Sequence, residues 1–206
     1  MVTNRELKAE TTRKSILDVA QQEILCCGFQ ACSISEIIRK ASISKGCLYH
    51  HFASKKELGY AVLDHSIEHM QNEVWAPILI SENSLTAIIN MLSNHEDFPD
   101  NDIIKLGCPI NNLSQEMSAL DEEFRKKIAI MYTKWKSNLS ASLERCQING
   151  HMRTDVNAKE IATLIIAVTQ GAAAIAKNSQ QAITFGEYSA GLVTYLCSLQ
   201  LEEKQL

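Results

Sequence analysis

The chain is short of the residues that build turns, with only 8 Gly and 3 Pro among 206 residues. That excludes collagen-like and extended-coil structure and argues against a turn-rich all-β fold. The start Met1-Val2-Thr3-Asn4-Arg5-Glu6 is polar and charged, so a secretory leader is not expected. Long apolar runs are missing as well. The most apolar stretch, Ile161 to Ala176, is broken by Thr163, Thr169 and Gln170 and reads as too short to span a bilayer. Seven cysteines have no CxxC pairing, which argues against a disulfide scaffold and a structural zinc. What is present is ordinary for a globular protein: 46% hydrophobic and 21% charged residues, enough for a sizeable core. The expectation is a cytoplasmic, mostly helical chain with no membrane partner, no metal and no cofactor.

Charge is unevenly spread. Residues 1–60 carry a net charge of +3, and the remainder carries −7, within a total of −4. A basic end on an acidic body suits a small anion-binding module joined to a different kind of domain, although surface variation alone gives such a split.

From about Thr11 to Cys27, Ile16, Leu17, Val19, Ala20, Ile24 and Leu25 recur at helical spacing, and Gly28 stops the helix. Thr11, Thr12, Arg13 and Lys14 would then occupy its first turn, where cations oppose the dipole and suit an external anion. Ser33-Ile34-Ser35-Glu36 reads as a capping box opening a short helix that ends near Lys40. Ala41-Ser42-Ile43 makes a turn, and Ser44 caps Lys45-Gly46-Cys47-Leu48-Tyr49-His50-His51-Phe52. A second capping box, Ser54-Lys55-Lys56-Glu57, opens a long helix reaching toward Trp75. Two short helices joined by a tight turn are a helix-turn-helix, whose second helix enters the major groove. That second helix offers the cation of Lys45, the phenol of Tyr49 and the imidazole of His50 to phosphates and base edges. Gly46 permits close backbone approach, Leu48 and Phe52 face inward, and Lys55 stands at a helix N-terminus able to hold a phosphate.

These residues resemble the TetR family of transcriptional regulators. The pattern stands here as Gly28-Phe29-x-Ala31, Ser33-Ile34-x-Glu36-Ile37, then Ser44-Lys45-Gly46-x-Leu48-Tyr49-His50-His51-Phe52-x-Ser54-Lys55-x-x-Leu58, covering residues from about 11 to 60. The resemblance implies an all-α fold: a three-helix helix-turn-helix DNA-binding domain, residues 1–53, then a helical ligand-binding and dimerisation domain, residues 54–206, with the fourth helix as connector. Thr12, Ser33, Lys45, Gly46, Tyr49, His50 and Lys55 fall at its DNA-facing positions, and Ser44 and Cys47 complete the candidate set. The chain departs from the pattern at Cys32 and Cys47, where the family commonly has Thr, and at Ser42, where it commonly has Gly. Cys47 lacks the hydroxyl for a direct contact.

Beyond the connector, Leu85 to Leu92 reads as a short helix and Asn94 to Asp102 as a polar loop around Pro99. Pro109 suits the first turn of a helix through Met117. Asp121 to Gln147 spaces Phe124, Ile128, Met131, Trp135, Leu139 and Leu143 by three and four, and Asn149-Gly150 ends it. Asn157 caps a helix from Ala158 to about Lys177, and Thr184-x-x-Glu187 reads as a third capping box before a helix through Leu199. These last two helices carry many small residues, among them Gly171, Ala172, Ala173, Ala174, Ala190 and Gly191. They suit either an intramolecular core or a homodimer interface, and the resemblance favours the dimer, which also fits two half-sites of a palindromic operator in double-stranded DNA.

Sensing residues are less specific. Trp75, Met91, Phe98, Met117, Phe124, Met131, Trp135 and Gln170, with Cys108 and Asn112, form a candidate pocket for a small-molecule inducer, and the same residue types serve plain core. Cys108 near a helix N-terminus suits a thiolate of depressed pKa and hence a thiol sensor of electrophiles or oxidants, or else it is a buried hydrophobe. Cys26, Cys27, Cys146 and Cys197 read as packing residues. His65 and His69 share one helical face, which suits a metal sensor, but they lack a third ligand. A small helical enzyme would need a nucleophile or acid–base set that no motif supplies. The leading reading is a ligand-responsive repressor, with activator left open.

Overall fold

A computed structural model of the chain describes residues 3–94 and 106–201. The order is α1 (Asn4–Cys27), α2 (Ile34–Lys40), α3 (Lys45–His51), α4 (Lys55–Met70), a π-helical turn (Gln71–Trp75), α5 (Ala76–Ile80), α6 (Ser84–Ser93), α7 (Pro109–Met117), α8 (Glu122–Ile148), α9 (Ala158–Ser179) and α10 (Ala182–Cys197). Among the described residues there is no β-strand, only an isolated antiparallel bridge between Met152 and Gln200. Phe98 and most of the acidic loop around Pro99 lie outside the described residues.

Side-chain caps decide where several helices begin. Ser44 accepts from the Cys47 N–H at 3.1 Å, Ser54 from the Glu57 N–H at 3.1 Å, and Asn157 from the Lys159 N–H at 3.0 Å. One expected start and two expected caps differ. α1 begins at Asn4, because Thr3 and Glu6 close a reciprocal capping box ahead of it. Thr11 to Lys14 are therefore interior, and the argument from the helix dipole does not apply to them. Ser33 precedes α2, but its hydroxyl pairs with Ser35 at 2.6 Å, and Glu36 turns to Arg39 at 2.8 Å. Thr184 lies inside α10, buried and paired with Ser179 at 2.8 Å, so it caps nothing. That helix ends at Cys197, short of Leu199.

The core is continuous from Ile16 to Leu199. Ile16, Ile37, Leu48 and Phe52 close the three-helix head, and α4 packs on α1 from one side and on α7 and α8 from the other. In the body, α9 packs between α8 and α10, with α6 across α8 and α10. The helix α9 is longer than its apolar stretch suggested: 22 residues, with an 18-residue stretch of mean hydropathy 1.3, long and apolar enough to cross a membrane by those two measures. Ile161, Ala162, Ile165, Ala172, Ala173 and Ala176 pack within the chain, and Leu164 and Ile175 on the same helix remain exposed. Ala173 thus belongs to the monomer core, whereas Gly171 and Gly191 are exposed and a Cβ at either would meet nothing within 4 Å.

Candidate nucleic-acid interface

The helix α3 has a sharp division of faces. Leu48 is fully buried, and Phe52, just past the helix end, is 3% exposed. Lys45, Gly46, Tyr49 and His50 are exposed, and their spacing of one and four residues puts them on a common face. Gly46 has open space around it, with only Ser44 Oγ within reach of an added Cβ, at 3.9 Å. Cys47 is half-buried, and the Ser44 hydroxyl is engaged in its cap. Behind α3, the Arg13 guanidinium lies 4.9 Å from the Phe52 ring centroid. His51 is half-buried, and burial pulls its pKa below the ordinary value, helped by the neighbouring charges of His50 and Arg13.

The remaining DNA-facing candidates flank this face with committed polar groups. The Thr12 hydroxyl donates to the Lys8 carbonyl at 2.9 Å, and Ser33 is exposed but paired with Ser35. Lys55 is half-buried: its ammonium donates to the Gln30 carbonyl at 2.8 Å and sits 5.2 Å from the Phe29 ring centroid. Ser42 holds the turn between α2 and α3 in the left-handed region, φ 53°, at the position where the resemblance leads one to expect glycine.

The pocket candidates fall into two groups. Trp75 packs on Trp135 at 5.4 Å with the rings tilted by 49°, and Trp135 meets Tyr132 edge-on at 6.0 Å. The Tyr132 hydroxyl donates to Gln170 Oε1 at 3.4 Å, and the Gln170 backbone carbonyl accepts from Asn111 at 3.1 Å. Cys108 lies beside Gln170, Met131 is buried, Met91 is half-buried, and Asn112 donates to the Leu106 carbonyl at 2.8 Å. Phe124 belongs elsewhere, wedged between Phe29 at 5.2 Å and Tyr60 at 4.9 Å where α8 meets the head. Met117 lines the same seam beside Phe29 and Lys55.

Of the two readings of Cys108, burial fits the hydrophobe, whereas the expectation that Cys26, Cys27 and Cys197 are packing residues is overturned. Cys108 is 3% exposed, and burial pushes its thiol pKa up despite opposing hydrogen bonds from the Asn111 and Ile110 N–H groups and the Gln170 side chain. Desolvation of the anion outweighs the helix N-terminus there. Cys26, Cys27 and Cys197 are exposed rather than packed, while Cys146 is buried. His65 faces Asp18 at 2.9 Å and His69 is exposed; among the described residues no three His, Cys, Asp or Glu side chains converge as a metal site.

Residues 16–62 match the family described as "Bacterial regulatory proteins, tetR family", and residues 84–190 match "Tetracyclin repressor-like, C-terminal domain". The chain belongs to the TetR family. It is 31% identical to an HTH-type transcriptional regulator in the lacX 3′ region of Lactococcus lactis subsp. lactis, over 64% of this chain and 68% of that one. It is 26% identical to the HTH-type transcriptional repressor DhaR of Mycobacterium sp. (strain GP1), over 78% of this chain and 79% of that one. A TetR transcriptional regulator of Chloroflexus aurantiacus J-10-FL shares the fold, with a TM-score of 0.81 at 24% identity, covering 94% of this chain and 98% of that one. This TetR-family protein is accordingly a DNA-binding transcription regulator and not an enzyme. Three parts of its head-to-body seam escaped sequence reasoning: Glu116, Gly59 and Asp121. The α8 cap Asp121 accepts from Lys56 at 2.8 Å, Tyr60 at 3.0 Å and the Glu123 N–H at 3.0 Å. The Lys56 hydrogen bond, working against burial and aided by the Phe124 N–H, Tyr60 and the Glu123 N–H, pulls its carboxyl down to about 2.

Proposed function

We propose that this TetR-family regulator is a cytoplasmic repressor that binds a palindromic operator as a homodimer and leaves it when a small molecule enters the body. Residues 1–53 would read DNA and residues 54–206 would sense and dimerise. The observation that carries the reading is the face of α3, where Lys45, Gly46, Tyr49 and His50 stand in water over a closed apolar underside. A recognition helix needs that combination, because phosphates and base edges are met by solvated polar groups on a rigid support. Dimerisation is supported by Leu164, Ile175, Ile183, Tyr188 and Tyr195, large apolar side chains of α9 and α10 exposed in the single chain.

For the inducer, the group around Trp75, Trp135, Met131, Met91, Cys108, Asn112 and Gln170 is favoured, with Phe124 and Met117 at the seam carrying the response toward the head. The Trp75 Nε1 is a buried donor without a hydrogen-bond partner among the described residues, so an inducer bearing an acceptor would satisfy it. The raised pKa of Cys108 favours reversible binding over thiol chemistry.

The test is gel-shift affinity for the DNA upstream of the protein's own gene, measured across salt concentrations. Lys45→Ala should weaken binding and lower the salt slope by about 1, and Tyr49→Ala should weaken it with the slope unchanged. Wild-type affinity in both variants would reject α3 as the reading element.

A further inference from the structure

The turn between α1 and α2 is held by a residue far away in sequence. Glu116, in the last turn of α7, accepts the Phe29 N–H through Oε2 at 2.8 Å and the Gln30 N–H through Oε1 at 2.8 Å. Both are charge-assisted bonds, stronger than neutral ones. Gly28 makes the approach possible: its φ is 82°, and an added Cβ would lie 3.1 Å and 3.2 Å from the two carboxylate oxygens. On the other side of the turn, Lys55 holds the Gln30 carbonyl. The Phe29 ring packs on Phe124 and against Gly59, where an added Cβ would come within 2.3 Å of Phe29 Cε2. At its opening end α7 is tied into the body, Asn111 to the Gln170 carbonyl and Asn112 to the Leu106 carbonyl. One short helix thus joins the sensing core to the backbone of the head.

We propose that Glu116 is a specificity-determining residue for operator reading: it fixes the angle between head and body and thereby the half-site spacing that the dimer accepts. The inference rests on the dimeric DNA-binding reading above. Two recognition helices must meet grooves about one helical turn apart, and a base-pair step is only ~3.4 Å. A small rotation of the head about the 28–30 turn therefore changes which spacing fits. The letters read within each half-site depend on α3 and stay the same.

The experiment selects bound duplexes from a pool of two randomised half-sites separated by gaps of different lengths. Amide hydrogen exchange at Phe29 and Gln30 is followed in the free protein. Wild type should enrich one gap. Glu116→Ala should spread enrichment over neighbouring gaps with the same half-site letters, and exchange at both amides should rise at least tenfold. Glu116→Gln keeps one acceptor and sets an amide NH2 against the other N–H, so it should fall between them, and it carries the test if the alanine variant fails to fold. Unchanged exchange would show that the carboxylate does not hold the turn. Faster exchange with the wild-type gap distribution, or loss of binding at every gap in a well-folded variant, would equally overturn the proposal. A wild type that enriches single half-sites instead would sink the dimeric reading and the proposal with it, an outcome distinguishable because exchange still reports the turn.

Discussion

On α3 the side chains left in water include Lys45, Tyr49 and His50, whereas α9 and α10 leave Leu164, Ile175, Ile183, Tyr188 and Tyr195 there. Tyr188 is 55% exposed and Ile183 57%, and the largest apolar side chain on the outer face of α3, Tyr49, carries a hydroxyl. A solvated polar face suits a polyanion, whose condensed counterions are released as cations approach. An apolar face gains only by meeting another apolar face. The two surfaces thus suit the two partners proposed for them, and residues 1–60, which include α3, carry +3 against −7 for the rest.

The largest effect should come from spoiling the apolar face alone. Gly171→Arg puts a cation where a Cβ meets nothing within 4 Å among the described residues, so the monomer should fold as before. Light scattering should show a monomer, and operator affinity should fall roughly a hundredfold or more once the two heads no longer bind together. A variant that remains a dimer would move the interface elsewhere.

A middle-sized effect belongs to the seam. The Asp121 carboxyl, held at about 2 in the folded chain, returns to about 3.9 on unfolding. A depressed folded pKa adds stability that is complete above the unfolded value and disappears as pH falls through the folded one. Thermal melting should therefore drop between pH 4 and pH 2, and Asp121→Asn should flatten that limb while melting lower at neutral pH. An unchanged slope in the variant would mean that other carboxylates dominate acid unfolding.

The smallest change sharpens the head by itself. Ser42 has φ 53°, which an L side chain adopts at a cost that glycine escapes. Ser42→Gly should stabilise the protein by about 0.5–1 kcal/mol, a rise in Tm of roughly 1–4 °C at this size, with DNA affinity unchanged. A lower Tm would indicate that unfolded-state entropy outweighs the relieved strain.

Much of the fold was legible where its signals are local. Ser44, Ser54, Pro109 and Asn157 begin helices where their chemistry says they should. Ser33 and Thr184 misled because a hydroxyl has several partners to choose from, and each found another hydroxyl instead. Thr3 and Glu6 were overlooked since the turn they open has no apolar stripe to announce it. The seam was illegible for a different reason. Glu116 and Phe29 are 87 positions apart, and no periodicity connects a carboxylate to a distant backbone N–H. The exposed Cys26 and Cys27 and the buried Cys108 likewise depend on how helices pack, which spacing alone does not set.

Trp75 and Trp135 are the only two tryptophans in the chain, and they touch. Indole emission therefore comes from a single place in the body, and the head is dark at wavelengths that excite tryptophan alone. If α3 reads the operator as proposed, DNA there lies against tyrosine and histidine, and any change in emission on adding it has travelled through the protein. Coupling free energy is reciprocal: what an inducer does to operator affinity, the operator does to inducer affinity. The native chain thus contains its own optical gauge of that exchange, with no label to attach and no residue to replace.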